Sequence, residues 1–338
     1  MINKNNKRII VDAHSDIPYE VFLRKIDGEQ RVLDKRQADR LKSGGINLPV
    51  FAIYVEARYK PDRSLEIALR QTEALLKDLE ESSDFMLIKT KDDLNKFIIQ
   101  DKIGVILDME GAEPLESGIE MLYLFYRLGV RIIGLTWNQR NALADGIDEL
   151  GTHSGLTKYG RQVVEEANKL GIIIDVSHLS PSCVDDVLKY STMPVIASHC
   201  GAKGVYDHPR NLSDEHIKRI AKSGGVIGIP VFPTIISSGI PTVENVVDHI
   251  EYIINIAGKE HVGFGSDFVE FFSDLVNEGK MGTEWIVKPG EETQGMSRPS
   301  DMQNLIDSMK RRGFSSDLIN GVLGENFFRV FKNTLPDK

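Results

Sequence analysis

The chain has 338 residues, 41% of them hydrophobic and 27% charged, which fits a globular protein holding one large barrel or two smaller domains. A net charge of −9 without a dense basic stripe argues against a nucleic-acid partner, because a phosphate backbone would be repelled. No apolar stretch approaches the roughly 20 residues that span a bilayer, residues 1–8 lack the apolar core of a secretory signal, and two cysteines, Cys183 and Cys200, make no disulfide framework. A cytoplasmic protein without a membrane partner is expected.

Taken in chain order, short β-rich runs alternate with helical patterns, starting with β-branched residues at 8–13 that lead into His14 and Asp16. Further strands are predicted at 47–55, 104–109, 131–136, 172–177, 195–198, 226–230 and 262–266. Several are apolar throughout, as in parallel strands covered on both faces. Between them, Leu65, Ala68, Leu69, Thr72, Leu75, Leu76 and Leu79 form one helical stripe. Thr90 reads as an N-cap before Asp92 and Asp93, and Gly171 as the stop of a helix over 160–170. Residues 243–257 read as a helix ending at Gly258, and both chain ends read as frayed. Eight strands alternating with helices predict a single-domain α/β protein over 1–338, a (β/α)8 TIM-like barrel. An open doubly wound sheet is the competitor, but no Gly-rich phosphate turn follows an early strand. Residues 269–300, broken by Gly279, Gly282, Pro289, Gly290, Gly295 and Pro299, read as a lid or pocket wall.

The chemistry collects where strands end. The first leads to His14 and Asp16, the third to Glu110, the fifth to His178, the sixth to His199 and the eighth to Asp267. In a barrel these positions converge on the C-terminal rim. His-x-Asp on an extended segment sends both side chains to one side, where they can share a cation. Imidazole mixed with carboxylate suits zinc, with manganese, cobalt or iron as further candidates, and the donors exceed what one tetrahedral ion needs. A binuclear metal site follows, able to generate hydroxide at neutral pH. Cys200, beside His199, is expected to face away and pack. His153 and His208 are expected in rim loops with bracing roles, and His216, His249 and His261 are given no chemistry.

The motifs Val11-Asp12-Ala13-His14-Ser15-Asp16, Glu110-Gly111, Asp175-Val176-Ser177-His178, Ala197-Ser198-His199, Pro209-Arg210-Asn211, Gly265-Ser266-Asp267-Phe268 and Gly324-Glu325-Asn326-Phe327-Phe328-Arg329 run through nearly the whole chain. In order and context they resemble the renal, or membrane, dipeptidase family of the metal-dependent amidohydrolase superfamily. The resemblance implies a homodimer carrying two zinc ions per chain, one held by His14 and Asp16, the other by His178 and His199, with Glu110 bridging. It implies hydrolysis of dipeptides with free termini by a metal-bridging hydroxide, tolerant of a C-terminal D-residue. Asp267 matches the acid/base carboxylate, and Arg210 the residue holding the substrate carboxylate. Where relatives carry a histidine after the fourth strand this chain has Trp137, a substrate-site residue whose indole N–H donates but cannot take up a proton. Val269 replaces an acid often found there. Two alternatives stay open: another amide or ester hydrolase of the superfamily, and a metal-containing ligand-binding protein with weak catalysis.

Overall fold

A computed structural model describes residues 8–116, 118–283 and 286–337. The strands are β1 (Val11–Ser15), β2 (Leu48–Tyr54), β3 (Phe85–Leu87), β4 (Ile103–Glu110), β5 (Val130–Gly134), β6 (Ile173–Asp175), β7 (Val195–Ile196), β8 (Ile227–Ile229) and β9 (Val262–Phe264). All pairings among them are parallel, in the order β1-β2-β4-β5-β6-β7, with β8 beside β9. A parallel bridge between Ala197 and Ile227 carries the sheet from β7 to β8. At the far side, the Asp12 carboxylate of β1 accepts from the Ser266 amide at 2.6 Å and its hydroxyl at 2.5 Å, joining the first strand to the last. The result is a curled parallel sheet. β3 was not expected; it is three residues long and flanks only the start of β4, through Phe85 opposite Ile103.

Side-chain alternation separates two cores. Leu48, Val50, Ile106, Ile132, Ile173 and Ile196 share one face, closed by Phe327, Phe328 and Phe331 from helix Asn326–Thr334. The intervening residues Phe51, Ile53, Leu107, Met109, Ile133 and Ile174 pack in the other cluster, with apolar helix residues such as Ile67, Leu75, Phe125 and Val164. Each such side chain contributes on the order of 1.5–3 kcal/mol by leaving water. On β4 the first face continues from Ile106 to Asp108 and Glu110, so apolar filling gives way to acid towards the strand end.

Of the strands that stop earlier than the sequence pattern suggests, β6, β7 and β9 do so for one reason. Asp175 Oδ1 accepts from the amides of Ser177 and Ser198, each at 2.9 Å, and Asp12 does the same for Ser266. These side chains take the N–H groups that a longer ladder would use. Curling also requires glycine at close approaches: a Cβ on Gly228 or Gly265 would collide with the Ser198 carbonyl.

The helices follow the pattern of the sequence. Helix Ser64–Glu81 carries the leucine stripe, and Thr90 with Asp93 makes a capping box for helix Lys91–Ile99. Helix Lys158–Leu170 ends at Gly171 in the left-handed region, and helix Val243–Ala257 stops before Gly258. The fraying expected at the N-terminal stretch and at 336–338 falls outside the described residues for 1–7 and 338, whereas the Lys91 amide bonds to the Pro336 carbonyl at 2.9 Å and Lys91 pairs with Asp337 at 3.0 Å. Residues 284 and 285 of the expected lid also lie outside the described residues. Within the described part of that segment, helix Phe272–Asn277 is flanked by Glu270, paired with Arg40 at 2.7 Å, and Glu278, paired with Arg24 at 3.1 Å. Thr293 adds a hydroxyl bond to the Val231 carbonyl at 2.5 Å. Among the described residues no helix is long and apolar enough to cross a membrane.

Candidate metal centre

Each donor reaches the rim by a local device. His14 stands in β1 and Asp16 one residue beyond it; Glu110 is the last residue of β4. His178, His199 and Asp267 each follow their strands by three residues, and His178 and Asp267 adopt φ of 69° and 56°. That left-handed conformation costs a non-glycine residue about 1–3 kcal/mol, a strain that concentrates at functional positions.

Glu110 is central. Its Oε1 lies 3.0 Å from His178 Nε2, 3.7 Å from His14 Nε2 and 3.7 Å from His199 Nε2. His14 Nε2 is also 3.7 Å from Asp16 and 4.0 Å from Asp267, while His178 and His199 bring their Nε2 atoms within 2.9 Å. Two overlapping donor sets result, His14–Glu110–His199 and His14–Asp16–Asp267, each with its ligand atoms within 4.8 Å of one another.

Neighbours fix the tautomers of His178 and His199, while His14 Nδ1 is buried without a hydrogen-bond partner. His178 Nδ1–H donates to Asn138 Oδ1 at 2.7 Å, which leaves the Nε2 lone pair facing Glu110 and accepting from Arg210 Nη2 at 2.8 Å. Ser198 donates its hydroxyl to Asp175, so His199 Nδ1–H donates to Ser198 Oγ at 2.7 Å and again Nε2 faces inward. Such outer partners orient metal-binding histidines. Sequence reasoning missed Asn138, Asp175 and Ser198. A serine directly before both His178 and His199 was the available signal.

The electrostatics ask for a cation. Burial, reinforced by Arg210, pushes His14 down to about 3. His178 and His199 are held well below the usual histidine range, by burial first and by neighbouring positive charge second. All three are therefore neutral, the ligating form. Burial and mutual repulsion push the Asp16 and Glu110 carboxyls well up, and burial pushes Asp267 up to about 6 against the pull of Arg210. Asp16 Oδ1 is buried without a hydrogen-bond partner. Three lone-pair nitrogens and three carboxylates fit zinc or a related divalent ion.

The cluster floors a cavity of about 610 Å³. Trp137 and Arg210 both line it, the indole ring 5.8 Å from the His178 ring and 5.2 Å from that of Tyr54. His208 lines it too and braces Arg210, its Nδ1 accepting the Arg210 amide at 3.2 Å. His153 is exposed and absent from the described lining, because the turn at φ 52° leaves it in solvent. Cys200 is buried, with Arg210 Nη1 3.7 Å from its sulfur. His249, His216 and His261 bond to Ala202 and Ile236, to Asp185 and to Gly225, away from the cluster.

A curled parallel sheet that gathers imidazoles and carboxylates on one rim is the arrangement of the metallo-amidohydrolases, and that is the class defined here. The profile of the membrane dipeptidases, peptidase family M19, matches residues 5–336, and the chain belongs to that family. Dipeptidase 3 of Rattus norvegicus is 28% identical over 335 residues, which cover 96% of this chain and 64% of the rat protein. The chain thus spans under two thirds of the length of the mammalian relatives it matches. Dipeptidase verJ of Clonostachys rogersoniana is 30% identical over 95% of this chain and 83% of its own length. Among solved structures, a metallopeptidase from Rhodobacter sphaeroides, liganded with a phosphinate mimic of L-Ala-D-Ala, superposes with a TM-score of 0.83 at 24% identity, covering 97% of this chain and 99% of that one. An amidohydrolase from Pseudomonas aeruginosa gives 0.78 at 26% identity, covering 97% of both chains.

Proposed function

We propose that this protein is a zinc dipeptidase, a closed (β/α)8 barrel that hydrolyses dipeptides with free termini and accepts a D-residue at the C-terminal position. The observation that carries the reading is the convergence of three neutral imidazoles on Glu110, with Asp16 and Asp267 alongside. His14 and Asp16 would hold one ion, His178 and His199 the other, and Glu110 both. Divalent ions at these ligands supply a water acidic enough to ionise near neutral pH and polarise the scissile carbonyl.

The chain's own groups do the rest. Arg210, the one arginine or lysine among the described lining residues, receives the substrate carboxylate in its donor fork. The free amine lies towards Asp16 and Asp267, so the two charged ends define a length of two residues and hold the bond for attack. Asp267 accepts a proton from the attacking water and returns it to the departing amine nitrogen. Trp137 lines the cavity beside His178, and we read it as a substrate-site residue able to donate an N–H. Support for the D-residue comes from the Rhodobacter sphaeroides relative, which bound a mimic of L-Ala-D-Ala.

The test is Asp267→Asn, assayed as zinc-loaded protein on an L,D-dipeptide. Metal content should stay unchanged while kcat falls about 10²–10⁴-fold, the range for losing a general acid–base. Full activity in the variant overturns the role of Asp267. Failure of the loaded native chain to release amino acids from any dipeptide overturns the whole reading.

A further inference from the structure

Among the described residues, the cavity at the metal centre is lined by one arginine and several apolar side chains. Arg210 marks one end, bonded to His178 and touching Cys200 beside His199. A substrate carboxylate gripped there leaves the amino-terminal residue at the opposite end, next to Asp16 and Asp267. At that end the wall is apolar. Tyr19 follows Asp16 by one helical turn, its amide on the Asp16 carbonyl at 3.0 Å. Val269 follows Asp267 by two residues, and Phe272 bonds back to the Val269 carbonyl at 3.0 Å. Tyr19 and Phe272 meet edge-on with ring centres 6.4 Å apart, and Met281 completes the wall.

This wall is built in advance. Phe271 backs Phe272 at 4.5 Å, the Arg40 guanidinium lies 4.6 Å above Phe271, and Glu270 holds Arg40 at 2.7 Å. Phe272 is thereby held before a side chain enters, which lowers the ordering cost of contact with it. Acidic side chains meet the opposite: Asp16, Asp267 and Glu56 all line the cavity, and Arg210 is committed at the other end. The volume, about 610 Å³, equals roughly twenty waters. That leaves room beyond a dipeptide of two alanines.

We infer that this chain selects dipeptides whose amino-terminal residue carries a large apolar side chain, Leu-like or aromatic, over those led by glycine, alanine or an acid. The inference rests on the dipeptidase reading and adds to it the residue class that fills the wall of Tyr19, Val269, Phe272 and Met281.

The experiment uses the zinc-loaded full chain and a series Xaa-Ala, with Gly, Ala, Leu, Phe or Glu leading. Leu- and Phe-led substrates should exceed the Gly-led one by about ten- to two-hundred-fold in kcat/KM, and the Glu-led one should fall at or below it. Val269→Phe fills the wall and should cut the Phe-to-Ala ratio about tenfold. Met281→Ala, which removes one half-buried side chain of the wall, should lower the same ratio by less. Calorimetry adds a readout independent of turnover: a phosphinate mimic with a benzyl amino-terminal side chain should bind the native chain more tightly than its methyl counterpart, and lose that advantage in Val269→Phe. Equal rates across the series, or a ratio unmoved by both substitutions, overturns the inference while leaving a dipeptidase. No hydrolysis of any member overturns the dipeptidase reading and this inference with it.

Discussion

Arg24 and Glu110 are both buried ionisable groups, and their surroundings differ in kind. Arg24, 1% exposed, has Glu20 at 2.7 Å and Glu278 at 3.1 Å, and Gln37 donates to the second oxygen of Glu20. Charge there is balanced by the protein's own residues. Around Glu110 the neighbours are three further carboxylates, Asp16, Asp267 and Asp108, and three neutral imidazoles, with Arg210 as the nearby cation. Their preferred state is set by what they lack within the chain. A fold can bury charge to brace itself or to attract something from outside, and the sign of the neighbours tells which.

Breaking the braced cluster should give the largest effect on folding. Arg24→Ala leaves Glu20 buried beside a lost partner, and removal of one member of a buried pair costs about 3–5 kcal/mol. Chemical denaturation should read that loss whether or not zinc is present. Asn138→Ala acts on the other cluster. It frees His178 Nδ1, and loss of such an outer partner weakens metal binding about 10–100-fold, read by competition with a chelating dye, with little change in the metal-free melting curve. Glu110→Gln sharpens the contrast most directly. Removing a charge held among like charges should stabilise the metal-free protein by about 1–2 kcal/mol, while abolishing the rise in Tm on adding zinc. A destabilised metal-free variant would mean that Glu110 braces the rim as Arg24 braces its helix.

How much of this was legible follows from which interactions are local. The apolar runs ending on His14, Glu110, His178, His199 and Asp267 could be read because strand and donor adjoin in sequence. Of the partners of those donors only Ser198, next to His199, left a local signal; Asn138 lies 40 residues from His178, and Asp175 reaches Ser198 only once β6 and β7 pair. The Asp12 seam spans 254 residues, and no periodicity announces it. Residues 269–300 read as a lid or pocket wall because glycines and prolines break the pattern, but the pairings of Glu270 with Arg40 and Glu278 with Arg24, far away in the chain, leave no mark in the sequence. Asp108, its carboxyl oxygens buried without hydrogen-bond partners, continues the inner face of β4 that ends at Glu110.

A smaller effect separates surface bracing from both clusters. Asp34 accepts from Arg31, from the Ser82 and Ser83 hydroxyls and from the Ser83 amide, tying the segment after helix Ile17–Ile26 to the end of helix Ser64–Glu81. Although burial opposes it, this bonding holds the carboxyl down at about 2, below the ordinary 3.8. A carboxyl depressed in the folded state binds its proton less readily there than in the unfolded chain. Its contribution is complete above pH 3.8 and is lost as pH falls through about 2. After allowance for solvent screening this amounts to about 1 kcal/mol. Asp34→Asn should therefore lower stability by that amount at pH 6, and the gap from the native protein should close as the acid limb is descended. A gap that stays constant between pH 5 and pH 2 would assign the loss to packing rather than to the charge of Asp34.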